Sequence, residues 1–166
     1  MILRRPTLAD KETILEMMAE FEEFQSPHDG GFWDTENFDY EKWLETNHNK
    51  EMGINLPENR VPSIQFVSFD DVGHALGFLN LRLRLNEGLL NHAGHIGYSI
   101  RPSERGKGYA KESLRQGLQV AKGKNIKRAL VTCSTENPAS RAVILANGGE
   151  LEDVRNGTER YWIDLE

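Results

Sequence analysis

The sequence predicts an α/β domain, on three observations. The clearest strand, Leu76–Leu85, alternates strictly, with Leu79, Leu81, Leu83 and Leu85 on one face and Phe78, Asn80, Arg82 and Arg84 on the other. The clearest helix, Tyr109–Ala121, turns Leu114, Leu118 and Ala121 inward and opens directly out of a glycine-rich loop. At 166 residues the chain has the length of one domain and can bury a real core. Periodicity by itself goes no further than α/β.

The elements follow in order. Ile2–Arg5 reads as a short strand. Thr7 is placed to cap a helix whose apolar stripe is Leu8, Ile14, Leu15, Met18, Phe21 and Phe24. Gln25–Phe38, with Pro27, Gly30 and Gly31, reads as loop. Asp39 caps a short helix through Thr46, with Tyr40, Trp43 and Leu44 as its apolar face, and Asn47–Pro62 is again irregular. From Ser63 the pattern changes. Ile64–Phe69 is a strand, Asp70–His74 a polar turn, and Leu76–Leu85 and Gly94–Ile100 are further strands. After helix 109–121 come a strand at Arg128–Cys133 and a helix at Ala139–Asn147 closed by Gly148-Gly149. The chain finishes in an antiparallel pair, Glu150–Val154 and Glu159–Asp164, around Asn156-Gly157. There is no internal repeat, linker or low-complexity segment.

Composition narrows the class. No apolar run approaches the ~18 residues of a membrane span, and the N-terminus lacks the long apolar stretch of a signal peptide. A single cysteine, Cys133, excludes an internal disulfide and fits a reducing cytoplasm; set in an apolar stretch, it reads as a small buried filler. The histidines are scattered without metal-ligand spacing, so no metal is expected. The net charge of −6 is unevenly spread: residues 20–51 hold ten acids against two bases, and residues 94–128 nine bases against two acids. A basic half suits a phosphorylated ligand, and an acidic half attracts a cationic one. The acidic balance and the lack of a basic-aromatic stripe argue against nucleic acid.

The most informative stretch is 94–111, where a strand runs into the loop Arg105-Gly106-Lys107-Gly108-Tyr109-Ala110-Lys111. A glycine-rich loop opening a helix presents free N–H groups and a positive helix end to an anion, with Arg105, Lys107 and Lys111 adding charge. The plain alternative is a tight strand-to-helix turn with solvated charges. Two other phosphate loops fail on spacing. A dinucleotide fingerprint needs a small residue at 111, which is Lys; a P-loop needs glycine at 101, which is Arg, and a hydroxyl after Lys107.

The spacing Arg105-x-x-Gly108-x-Ala110 after a strand ending in Pro102 resembles the signature of the GNAT superfamily of N-acetyltransferases, continued through Asn137 and Ser140 to Gly148-Gly149, over roughly residues 76–164. Within it, Leu81–Asn86 followed by Gly94–Tyr98 looks like a bacterial group of acetyltransferases without a settled acceptor. The resemblance implies a single domain over 1–166, with acceptor-side loops at about 25–62 and an acetyl-CoA core at about 94–148. It also implies a mixed, mostly antiparallel sheet of six to seven strands with helices on both faces. Carried over by position, the amides of Gly106–Lys111 hold the pyrophosphate of acetyl-CoA, the strand edge Tyr98-Ser99-Ile100 accepts the pantetheine arm, and the Ile100 amide polarises the thioester. Asn137 and Ser140 lie against pantetheine.

Delivering an unprotonated amine is less determined. Many relatives place a glutamate where this chain has Gly94. His95 is the neighbouring substitute, since imidazole titrates near neutral pH, but strand neighbours face opposite ways, so it needs a bulge to reach the cleft. Glu20, Glu22 and Glu23 are rival bases. The family's tyrosine acid falls at Ile144, leaving Tyr98 and Ser140 as donors for the departing thiolate. If the face carrying Arg82, Arg84 and the adjoining Asn86 borders the cleft, its arginines fit an acceptor carboxylate. The leading expectation is acetyl transfer to a primary amine in a ternary complex; a CoA sensor without turnover and a longer-acyl transferase remain open. Relatives are often dimers, and the late strands offer an edge for pairing.

Overall fold

The first four strands form one antiparallel sheet in chain order: β1 (Ile2–Arg4), β2 (Ser63–Phe69), β3 (Ala75–Arg82) and β4 (Ile96–Ile100). A second antiparallel sheet has the order β5 (Arg128–Ser134), β7 (Thr158–Asp164), β6 (Glu150–Arg155). The computed structural model describes residues 1–166. Every ladder is antiparallel. The two sheets meet at one point, where the His95 N–H donates to Leu130 O (2.7 Å) at the start of β4, and from there β4 and β5 diverge.

Each face of the first sheet has its own core. On one side, α1 (Lys11–Glu23) and α2 (Tyr40–Met52) pack Ile14, Met17, Met18, Phe21, Tyr40 and Trp43 onto Val67, Phe69 and Phe78. On the other, α3 (Tyr109–Gly123) and α4 (Pro138–Ala146) join Leu79, Leu81 and Ile96 to Val131, Tyr161 and Ile163. Each such side chain contributes about 1.5–3 kcal/mol of burial. The α1 stripe is therefore Ile14, Met17, Met18 and Phe21; Leu8, Leu15 and Phe24 are exposed, because the helix starts only at Lys11, after a 3₁₀ turn at Leu8–Asp10, and presents one narrow face to the sheet.

Two element ends differ most from the sequence expectation. α2 runs on past Thr46 to Met52, where Gly53 (φ 74°) closes it and Arg5 braces Glu51 at 2.7 and 2.8 Å. β3 stops at Arg82 because the following connector leaves the sheet and folds through a π-helical turn at Leu89–Ala93. That turn is tied to the second sheet, with Arg160 Nε donating to Leu90 O (2.9 Å) and Thr132 Oγ1 to His92 O (2.7 Å). The polar face of β3 is covered, not solvated. Asn80 is buried and donates to Gln65 Oε1 (3.3 Å), and Gln65 Nε2 donates to Gly30 O (2.7 Å), so the 26–31 loop lies across this face. At the Asn156-Gly157 hairpin both turn residues have positive φ (49° and 78°), the geometry of a type I′ turn.

Candidate active site

The divergence of β4 from β5 opens a cleft of about 950 Å³ beside β4. One end is floored by the start of α3, with Arg105, Gly106, Gly108, Tyr109, Ala110 and Lys111. The other lies beneath the 26–32 loop and beside Arg82 and His92.

At the α3 end, Gly106 (φ 78°) and Gly108 (φ 84°) adopt left-handed backbone that a side chain would strain, and nothing lies within 4 Å of where their Cβ atoms would be. No backbone amide from Gly106 to Lys111 donates to a protein acceptor; the first bonded amide of this end is Glu112, to Gly108 O at 3.2 Å. A helix start with its donors open and its glycines facing empty space fits a diphosphate. The side chains divide differently from expectation. Lys111 lines the cleft, but the exposed Lys107 pairs with Glu104 at 2.8 Å and does not. Arg105 is turned back as a brace, Nε donating to Ile100 O (2.9 Å) and an Nη to Ser26 Oγ (2.6 Å).

Along β4, the bond from Arg101 N–H to Leu76 O (2.8 Å) fixes which amides face β3. Antiparallel ladders alternate, so the amides of Ile96, Tyr98 and Ile100 point the other way, into the cleft. Ser99 Oγ is buried without a hydrogen-bond partner. Tyr98 and Ser140, expected on separate grounds, meet across the cleft, Oη to Oγ at 2.8 Å. Burial, outweighing the Ser140 bond, pushes the Tyr98 phenol up to about 12, so it keeps its proton. Asn137 caps α4, Oδ1 accepting from Ser140 N–H (3.1 Å), while also lining the cleft. Cys133 lines it too; burial and the neighbouring Glu159 push its thiol up to about 11 and keep it protonated.

His95 is a correction. It does not line the cleft; it is 6 % exposed, and its Nδ1 accepts from the Leu130 N–H at 2.9 Å. Burial, helped by Arg82, holds it down to about 4. The chain does bend at Gly94 (φ 68°), just before β4, but the bend leaves the ring in the joint between the sheets. Gly94 itself presses against β5: a Cβ there would sit 2.4 Å from Leu130 O, so no side chain can stand where relatives carry a glutamate. The rival carboxylates are engaged elsewhere. Glu20 accepts from Arg101 (2.9 and 3.1 Å) and from Ser103, Glu22 accepts from Trp33 Nε1 (2.8 Å), and Glu23 lies outside the cleft.

The acid and imidazole groups that do reach the end of the cleft beneath the 26–32 loop are His28, Asp29 and His92, which sequence reasoning passed over. His28 is stacked on Trp33 (centroids 3.8 Å apart), and its Nδ1 lies 2.7 Å from Gly31 O. A carbonyl can only accept, so Nδ1 carries a proton, and in the neutral ring it is Nε2 that offers a lone pair. The one signal in the sequence was local: His28-Asp29-Gly30-Gly31 is a tight turn, and Gly30 (φ 80°) has no room for a Cβ, which would lie 2.2 Å from Gly97 O. That close approach brings the loop onto β4. Arg82 reaches the cleft and Arg84 does not, since β3 ends between them.

A splayed β4/β5 pair with an open helix start at its mouth is the arrangement the motif at 105–110 implied, and the acetyltransferase (GNAT) domain family model matches residues 1–150. The chain belongs to the GNAT acetyltransferase family. The match reaches β1, well before the motifs that carry the resemblance. No curated protein matches the sequence. Solved GNAT structures share the fold. A chimera of the spermidine N-acetyltransferase SpeG from Vibrio cholerae and hSSAT superposes with a TM-score of 0.65 at 20 % identity, covering 99 % of this chain and 97 % of that one. yncA from Salmonella typhimurium, solved with its cofactor acetyl-CoA, gives 0.64 at 16 % identity over 99 % and 94 %. A single-residue mutant of the Vibrio SpeG gives 0.64 at 17 % over 99 % and 95 %.

Proposed function

We propose that this GNAT protein is an acetyl-CoA-dependent N-acetyltransferase that acetylates a primary amine by direct attack. The observation that carries this reading is the run of unbonded amides from Gly106 to Lys111 at the mouth of a cleft whose far end holds the His28 ring, its Nδ1 bonded to Gly31 O. Acetyl-CoA contributes a thioester carbonyl open to amines, as yncA carries that cofactor.

The residues have distinct tasks. The α3 amides hold the diphosphate, with Lys111 beside it. The outward amides of Tyr98 and Ile100 hold the pantetheine arm and polarise the carbonyl, an effect worth about 3 kcal/mol for one well-aimed donor. An amine of pKa about 10 arrives charged; His28 Nε2 takes one proton, the nitrogen bonds to the acetyl carbon and sheds a second proton to solvent, and the carbon–sulfur bond breaks. Tyr98, held by Ser140, donates a hydrogen bond to the departing sulfur, which takes its final proton from solvent. Cys133, a protonated thiol, forms no acetyl intermediate.

Calorimetry with acetyl-CoA, then thiol release across a panel of amines, tests the reading. Micromolar binding with acetyl transfer is expected. Binding without thiol release on any amine would make the protein a CoA sensor, and preference for a longer acyl group would move it to another acyl donor. His28→Gln should lower kcat about 100-fold while leaving CoA affinity unchanged.

A further inference from the structure

The acceptor end of the cleft contains a guanidinium with almost nothing to do. Arg82 is partly buried at the end of β3, and its only side-chain hydrogen bond is a long one, from Nη1 to Ala93 O at 3.4 Å. No carboxylate lies within 4.0 Å of it, although Asp29 is near enough to act on its charge. The neighbouring arginines differ: Arg101 is paired with Glu16 and Glu20, and Arg105 is bonded to Ile100 O and Ser26. Arg82 lies flat on β4 because Gly97 has no side chain; a Cβ there would stand 3.2 and 3.3 Å from its two terminal nitrogens. Register puts Arg82 on the same sheet face as Ser99, whose buried Oγ is also unpartnered. A guanidinium has five N–H donors in a rigid fork, and partial burial makes an unmatched one costly.

We infer that Arg82 is the carboxylate-binding residue of the acceptor site, so that the acceptor is a zwitterionic amino acid: its carboxylate on the Arg82 fork, its ammonium beneath Asp29 and His28. This rests on the N-acetyltransferase reading. Asp29, carried on the loop opposite, supplies the negative charge that Arg82, with Arg60 also near enough to act on it, would otherwise turn against an incoming ammonium. A polyamine, with several cations and no anion, would meet Arg82 unfavourably.

The test is thiol release from acetyl-CoA with the twenty common amino acids, their carboxamides and spermidine, together with CoA calorimetry on each variant. At least one free amino acid should be acetylated with kcat/KM about 10- to 100-fold above its carboxamide, the range of a charge-assisted bidentate pair. Arg82→Met should raise KM for that acid by the same factor with kcat and CoA affinity little changed, leave the carboxamide indifferent, and retain the wild-type melting temperature. Arg82→Lys should restore part of the preference. If CoA binds and amines are acetylated, but carboxamides or spermidine serve as well as acids and Arg82→Met changes nothing, the inference is wrong while the transferase stands. If CoA binds and no amino acid releases thiol, it is equally overturned. If CoA does not bind, the transferase reading itself fails.

Discussion

Gly94 and His95 show how one residue position can be removed from chemistry and given to architecture. Gly94 is the only residue type that lets the chain pass Leu130 O at that distance, and His95 then supplies through Nδ1 the acceptor that the Leu130 amide would otherwise lack. The neutral ring is required, which fixes a sign. His95 is held near 4 when folded against about 6.5 when unfolded, so the unfolded state binds the extra proton between those values. Its contribution is complete above about pH 6.5 and is lost as pH falls toward 4, by up to about 3 kcal/mol. Urea titrations at pH 7.5 and 5.0 should show that loss, and His95→Phe should be less stable at pH 7.5 but flatter across the interval. Tyr98 is the second residue-scale case. Its proton is secure to about pH 12, so Tyr98→Phe should slow turnover without moving the pH profile between 6 and 9, measured by thiol release.

At the scale of elements, the start of α3 bears the strongest demand. A left-handed Gly108 aims the first-turn amides outward, and the helix that follows is anchored by Leu114, Leu118 and Ala121 in the core. Gly108→Ala should cost about 1 kcal/mol of stability for its positive φ and should weaken CoA binding at least 10-fold, because the new methyl group enters the space the amides face; calorimetry and thermal melts separate the two effects. Alternation and turn chemistry made β2, β3, β7 and the I′ hairpin legible beforehand. The end of α2 was missed although Gly53 is an ordinary stop signal, because the polar run Asn47–Glu51 resembles loop when its one buried side is unknown. The π-helical turn at Leu89–Ala93 had no readable signal, since it is held by Arg160, Thr132 and Thr158, none of them adjacent in sequence.

Across the whole molecule, the two cores and the two sheets are tied by a few long-range contacts around the cleft. Arg101, directly after β4, is buried and joins Glu16 and Glu20 of α1 to Ala75 O, while Ser103 also bonds Glu20. Burial alone would raise the Glu20 carboxyl, but Arg101 and Ser103 outweigh it and hold it below its usual range. Removing that charge leaves a buried guanidinium poorly matched, so Glu20→Gln should destabilise the fold by about 3 kcal/mol while sparing the catalytic rate of the molecules that remain folded; chemical denaturation and active-site titration check both parts.

Local sequence by itself determined the open helix start that we propose holds a diphosphate, because an amide cradle is built from consecutive residues: two glycines, a helix start and its charges need no distant partner. It also determined that Ile144 cannot serve as an acid. Only the tertiary structure decided what lines the other end of the cleft. Whether His95 or His28 faces the cleft, and whether Arg82 or Arg84 does, depends on where β3 stops, how the chain bends at Gly94 and which loop crosses Gly97. Those are contacts between residues far apart in the chain, and the direction of a side chain is fixed by the packing that surrounds it, not by the residues on either side.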